Sequence, residues 1–211
     1  MYAQNNEDDI LVKFFENISN GSFLEIGAFH PKNLSNTRAL VEKGWGGVMV
    51  DMSPYSLVDL VNEYKTNDKI LIVGAAVTLE KTPPIKSWLV PKDDRTDGAL
   101  TTTEGWHKDK WAGYLNHLGR KHVPYVASTI SLEELYTFLP QKLHLVSIDV
   151  EGTSFDLSMK FDFERFDVDA IVIEHDGKYQ DIHDRFKDRY DAAALNAENI
   201  VLVKKMNGVL R

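Results

Sequence analysis

A chain of 211 residues, 43% hydrophobic and 27% charged, carries enough apolar side chains for one buried core, which excludes disordered, collagen-like and low-complexity classes. A formal charge of −8 removes any general attraction to nucleic-acid phosphates or anionic lipid, so that only local basic patches remain. Zero cysteines exclude disulfides, thiolate metal sites and cysteine nucleophiles together.

Residues 4–9 are polar and acidic, and they lead into apolar positions Ile10, Leu11, Phe14, Phe15 and Ile18. This is the period of a helix with carboxylates at its positive end, stopped by Asn20 and Gly21. Residues 22–26 then read as a strand broken by Gly27. Ser35 or Asn36 caps a helix through Arg38, Leu40 and Val41 that ends at Gly44. The pattern repeats with a strand at 47–51, a Ser53 cap followed by Pro54, and a helical face of Leu57, Leu60, Val61 and Tyr64. Further strands are expected at 70–73, 143–149 and 170–174, and a helix at 131–139 with a Ser131/Glu134 capping box. A hairpin of 191–195 and 200–204 closes the pattern. The expected fold is α/β and doubly wound, a mostly parallel sheet with a C-terminal antiparallel hairpin, in one domain over 1–211.

Residues 91–124 break this regularity. They are polar at first and then rich in Trp, Tyr, His and Lys, and such long insertions commonly serve as lids or binding loops. No run approaches the ~18–20 apolar residues of a membrane span, and the N-terminus has no charged-then-apolar leader, so a cytoplasmic location is expected. Nothing in the sequence points to an oligomeric state.

Ligands of open α/β sheets bind beyond the carboxyl ends of the strands. Here those ends are acidic: Glu25, Asp51, Asp149 with Glu151, and Glu174 with His175 and Asp176. A dinucleotide needs a glycine-rich first turn, but this chain has Gly27-Ala28-Phe29-His30-Pro31, in which bulk and a missing N–H keep a pyrophosphate away. S-adenosylmethionine is cationic at its sulfonium and ammonium and has no phosphate, so an acidic turn suits it. Asp51 is then placed for the two ribose hydroxyls, and small Ala75 and Ala76 let adenine lie flat.

Five blocks together closely resemble the FkbM-type methyltransferases: Tyr2-Ala3-Gln4 with Glu7-Asp8, Phe23-Leu24-Glu25-Ile26-Gly27-Ala28, Ser35-Asn36-Thr37, Gly44-Trp45-Gly46-Gly47-Val48, and Ser147-Ile148-Asp149-Val150-Glu151-Gly152. The resemblance implies a class I, Rossmann-like methyltransferase fold, bound S-adenosyl-L-methionine, and O-methylation of a sugar or other natural-product hydroxyl. Asn6 stands where the family often has Gly and Glu25 where it often has Asp, while 91–124 has no counterpart.

The expected cofactor residues are Glu25, Gly27, Ala28, Asp51, Met52, Ala76 and Asp149. Asp149 and His175 are the expected bases for the acceptor hydroxyl. Asp149, Glu174 and Asp176 form a candidate Mg²⁺ set, although a metal-free scheme is favoured. Trp106, Trp111 and His30 are candidate acceptor contacts, with Trp106, Lys110 and Tyr114 on one helical face. The alternatives left open are a nucleic-acid methyltransferase, disfavoured by the net charge, and a non-catalytic cofactor- or glycan-binding module.

Overall fold

The computed structural model describes residues 1–92 and 99–205. Its first half alternates as the sequence predicts: α1 (Glu7–Phe14), β1 (Ser22–Ile26), α2 (Arg38–Val41), β2 (Gly46–Asp51), α3 (Pro54–Tyr64) and β3 (Ile70–Gly74). Next come β4 (Ala76–Thr78), β5 (Ile85–Leu89), α4 (Gly105–His117), β6 (Val123–Ala127) and β7 (Thr129–Ser131). The chain continues through α5 (Leu132–Tyr136), β8 (Leu145–Ile148), α6 (Ser154–Lys160), β9 (Ala170–Glu174), α7 (Tyr179–Phe186), β10 (Tyr190–Leu195) and β11 (Asn199–Lys204).

Seven of the described strands form one sheet in the order β10-β11-β9-β8-β1-β2-β3. The pairs from β3 through to β9 are parallel, whereas β11 runs antiparallel to both of its neighbours. This is the doubly wound α/β sheet with a C-terminal antiparallel hairpin that the sequence predicts. The winding reverses direction between β1 and β8, and that switch point is where such sheets open a crevice.

Both faces of the sheet are buried because successive side chains point to opposite sides. Leu24, Ile26, Val48, Val50, Val146 and Ile148 pack with Leu135 of α5, Leu157 of α6 and Ile182 of α7. Phe23, Met49, Leu145 and Val172 pack on the other face with Leu11 of α1, Leu40 of α2 and Leu60 of α3.

Local chemistry explains most boundaries. The Ser131/Glu134 box forms in both directions: the Ser131 hydroxyl accepts from Glu134 N–H at 3.3 Å, and the Glu134 carboxylate accepts from Ser131 N–H at 3.0 Å. Ser35 Oγ accepts from Arg38 N–H at 3.1 Å, although Thr37 occupies the formal cap position of α2. The expected Ser53 cap of α3 does not form. Its backbone N–H instead donates to Asp51 Oδ1 at 2.7 Å, and its hydroxyl is buried without a partner among the described residues.

The described residues of the insertion, 91–92 and 99–124, hang from an arm. β5 and β6 pair antiparallel across the base of the insertion, and Thr102 bridges to Trp88. Residues 93–98 of the expected lid lie outside the described residues.

Candidate active site

At the carboxyl ends of β1, β2, β8 and β9 lies a cleft of about 580 Å³, within the ~300–1,000 Å³ range of small-molecule sites. Its floor comes from the sheet and its roof from the insertion. Gly27, Asp51, Met52, Ala75, Ala76, Asp149, Glu174 and Asp176 line the floor, and His107, Lys110, Trp111 and Tyr114 of α4 line the roof.

Gly27 has φ +84°, and a Cβ there would stand 1.6 Å from the backbone oxygen of Asp149. Only glycine brings β1 and β8 this close. The first turn then rises onto β2, with the N–H groups of Gly27 and Ala28 both donating to Val50 O, at 2.9 and 3.0 Å. Asp51 is fixed by its own surroundings: Oδ2 accepts from Phe29 N–H at 2.8 Å and Oδ1 from Ser53 N–H at 2.7 Å. The Ser56 hydroxyl and the Met52 N–H also hydrogen-bond to this carboxylate, which lines the cleft as an acceptor. Burial raises the Asp51 carboxyl above its ordinary range, against the hydrogen bonds that hold it down.

The second half of the floor is a pair of hydrogen-bonded carboxyls, Asp149 and Glu174. Burial raises the Asp149 carboxyl well above the ordinary value, reinforced by the charges of Glu174 and Glu151. Glu174 is raised for the same first reason, and the two carboxyls share a hydrogen bond. Glu174 also accepts from Ser154 Oγ at 2.8 Å and from Glu151 N–H at 3.1 Å. Two acids this close and this dry hold a proton between them near neutral pH.

Glu151 ties the floor to the roof. Its φ of 54° is unusual for a side-chain-bearing residue, and its carbonyl accepts from Thr102 Oγ1 at 2.7 Å. Its carboxylate lies 2.8 Å from His107 Nε2, and the Trp111 indole N–H reaches the same nitrogen at 3.1 Å. A ring nitrogen offers one proton or one lone pair, so it satisfies only one of these neighbours. When Nε2 donates to Glu151, the indole N–H is left over as a donor at the cleft wall.

Several expected site residues fall elsewhere. Glu25 is buried behind the first turn, its Oε2 accepting from Thr37 Oγ1 at 2.7 Å, and it does not line the cleft. Ala28 packs in the core with Leu11 and Leu40. His30 turns back on its own loop, its Nδ1 accepting from the N–H groups of Lys32 and Asn33. His175 is outside the lining and both its nitrogens are engaged: Nδ1 accepts from Gly177 N–H at 2.9 Å, and Nε2 faces Asn196 O at 3.1 Å. No lone pair of this ring is left to take a proton from the cleft. Trp106 stands half-exposed beside Gly152, outside the lining.

The cleft face of α4 is His107, Lys110, Trp111 and Tyr114, the i, i+3, i+4, i+7 set. Reading that spacing one residue later than Trp106 finds His107 in the sequence. Gln4 and Asn199 also line the cleft, and no strand-end rule points to them. Among the described residues no group of three or more His, Asp or Glu side chains is arranged to hold a metal ion, so Asp149, Glu174 and Asp176 do not assemble as a Mg²⁺ site. The cleft does fit S-adenosylmethionine: the Asp51 carboxylate lines it as an acceptor for ribose, and the acids at the ends of β8 and β9 suit a cation. No helix among the described residues is long and apolar enough to cross a membrane.

The family model described as a methyltransferase FkbM domain matches residues 25–192. A solved fibrillarin/Nop5p complex aligns over 88% of this chain and 73% of its own, at 10% identity and a TM-score of 0.43. A Methanococcus maripaludis protein described as a putative S-adenosyl-L-methionine-dependent methyltransferase aligns over 97% of this chain and 85% of its own, at 11% identity and a TM-score of 0.44. No curated protein shows significant sequence similarity to the chain.

Proposed function

Because the chain belongs to the FkbM methyltransferase family, we propose that it moves a methyl group from S-adenosylmethionine to a hydroxyl oxygen of a sugar or other small-molecule acceptor. The observation that carries this reading is one continuous cleft with a pinned ribose-type carboxylate, Asp51, at one end and the proton-sharing pair Asp149 and Glu174 further along. S-adenosylmethionine, when bound, supplies a methyl group made electrophilic by its sulfonium.

The residues divide the remaining work. Asp51 accepts hydrogen bonds from the ribose, and Ala75, Ala76 and Met52 border the base. Asp149 takes the acceptor's hydroxyl proton. A sugar hydroxyl is a weak acid, and a carboxylate whose pKa burial raises is a stronger base than an ordinary one once the cationic cofactor has displaced the proton the pair holds. Glu174 shares that proton through its hydrogen bond to Asp149. The insertion at 91–124 closes over the acceptor, and the whole chain acts as a single cytoplasmic domain.

Isothermal titration tests the ribose assignment. Asp51→Asn should weaken S-adenosylhomocysteine by about 1.5–3 kcal/mol, the worth of hydrogen bonds to a charged group. Unchanged affinity in a folded variant refutes the assignment. Release of S-adenosylhomocysteine in the presence of hydroxylated acceptors tests the reaction itself, and Asp149→Asn should abolish it.

A further inference from the structure

Resting on that reading of the cleft, we propose that its far end is a subsite for a protonated amine carried by the acceptor. The juxtaposition is Asn199, Asp176 and Glu198, held against Gln4, and all four line the cleft. Asn199 is 4% exposed, and its Oδ1 is buried with no hydrogen-bond partner among the described residues. Its Nδ2 donates to Glu7 Oε1 at 2.9 Å, which fixes the amide so that the carbonyl is the free end. Asp176 Oδ2 is likewise buried and unpartnered among the described residues.

Apart from the Gln4 amide, which both donates and accepts, the wall is therefore made of acceptors. Glu198 adds a carboxylate whose neighbour is the neutral Asn5 amide at 3.3 Å, and Glu174 beside it is held by the Ser154 hydroxyl and Glu151 N–H. The ion pairs of the described lysines and arginines lie on other carboxylates. An ammonium brings three donors and no lone pair, which matches such a wall. A hydroxyl brings one donor, and its lone pairs face more acceptors.

Position separates this end from the cofactor. Asn199 pairs with Glu174 across β11 and β9, so from Asp51 the sheet runs four strand spacings, about 19 Å. Two of those spacings, about 10 Å, lie beyond the strand that carries Asp149. A cofactor with its ribose at Asp51 and its sulfonium near Asp149 carries its own ammonium four bonds past the sulfur, about 5 Å, and so stops short of Asn199 and leaves this end to the acceptor.

The subsite also gives a role to the block Tyr2-Ala3-Gln4 with Glu7-Asp8. Glu7 is 1% exposed and accepts from Asn199, from Asn196 Nδ2 at 2.8 Å and from Asn5 N–H at 2.8 Å. Tyr2 N–H donates to Asp8 Oδ2 at 2.6 Å. Together these bonds strap residues 2–6 to the hairpin turn and place Gln4 on the wall.

The test is a matched pair of probes, methyl 2-amino-2-deoxy-α-glucopyranoside and methyl α-glucopyranoside, titrated into ¹⁵N-labelled protein with and without S-adenosylhomocysteine. The Asn199 side-chain amide resonance is the readout. The amino sugar should bind about tenfold more tightly and shift that resonance, as expected for a charged donor. The double variant Asp176→Asn with Glu198→Gln should erase the preference while S-adenosylhomocysteine affinity is kept. Equal binding of the probes, or binding of neither, overturns the subsite. Loss of S-adenosylhomocysteine binding in the folded double variant overturns it as well, because the carboxylates then serve the cofactor. An amine preference in a protein that fails to bind S-adenosylhomocysteine upholds the subsite and removes the cofactor reading instead.

Discussion

Glu25 shows how much one buried group can weigh. Burial pushes its carboxyl up to about 7, against the Thr37 hydrogen bond, with Asp51 nearby adding to the rise. In the unfolded chain a glutamate titrates near ~4.3. Below that pH both states are protonated and the full stability is present. As pH rises toward 7, only the unfolded chain has ionised, and stability is lost, by about 3 kcal/mol in total. Glu25→Gln keeps an oxygen for Thr37 and removes the titration. Urea midpoints should therefore favour the variant at pH 8 and converge with wild type near pH 4. A difference that is equal at both pH values would place its origin outside this carboxyl. At this scale the sequence was partly legible. Gly27 and Asp51 follow from strand-end logic, and the cleft uses them as linings. Glu25, Ala28 and His175 are adjacent to those strand ends in sequence, yet alternation along the backbone and local hydrogen bonds turn them away from the cleft.

At the scale of elements, the central strands were visible because they are short apolar runs between turn residues. α6, α7 and the small strands β4 to β7 were not visible, since their apolar positions are few and tertiary packing decides their state. α7 buries only Ile182 and Phe186. The insertion was visible as an irregular segment, but not as an arm carrying a helix, because the β5–β6 pairing joins residues 85–89 to residues 123–127 across it. α4 is docked onto the floor through His107 and Glu151. His107→Ala takes the partner from the half-buried Glu151 carboxylate or, in the other tautomer, from the Trp111 indole N–H, at a cost of about 1–3 kcal/mol. Hydrogen exchange should therefore quicken across 105–117 and stay slow in β1, β8 and β9, while His107→Gln restores part of the protection. Uniform acceleration throughout the sheet would show that the contact supports the whole fold and not the lid alone.

For the whole molecule, the charge of −8 and the acidic floor act in the same direction on a cationic ligand. Asp149 and Glu174 hold a proton that a nearby sulfonium disfavours, so binding should expel it. Affinity for S-adenosylmethionine should then rise between pH 5 and pH 8, by about tenfold in all if the bound sulfonium makes that proton tenfold easier to remove. S-adenosylhomocysteine, without the sulfonium charge, should respond less. Calorimetry in two buffers of different ionisation enthalpy reads the released proton directly, and identical pH profiles for the two compounds would refute the linkage.

The reversal of β11 has a consequence in time. Asn196 and Asn199 meet Glu7 across separations of 189 and 192 residues, and β11 enters the sheet beside β9. As the ribosome delivers the chain, the ribose end of the cleft gains its floor once β1, β2 and β3 have emerged. The opposite end stays open until the hairpin arrives. A nascent chain can thus hold half a site early, but cannot present a finished acceptor pocket before nearly all of its fold has been synthesised.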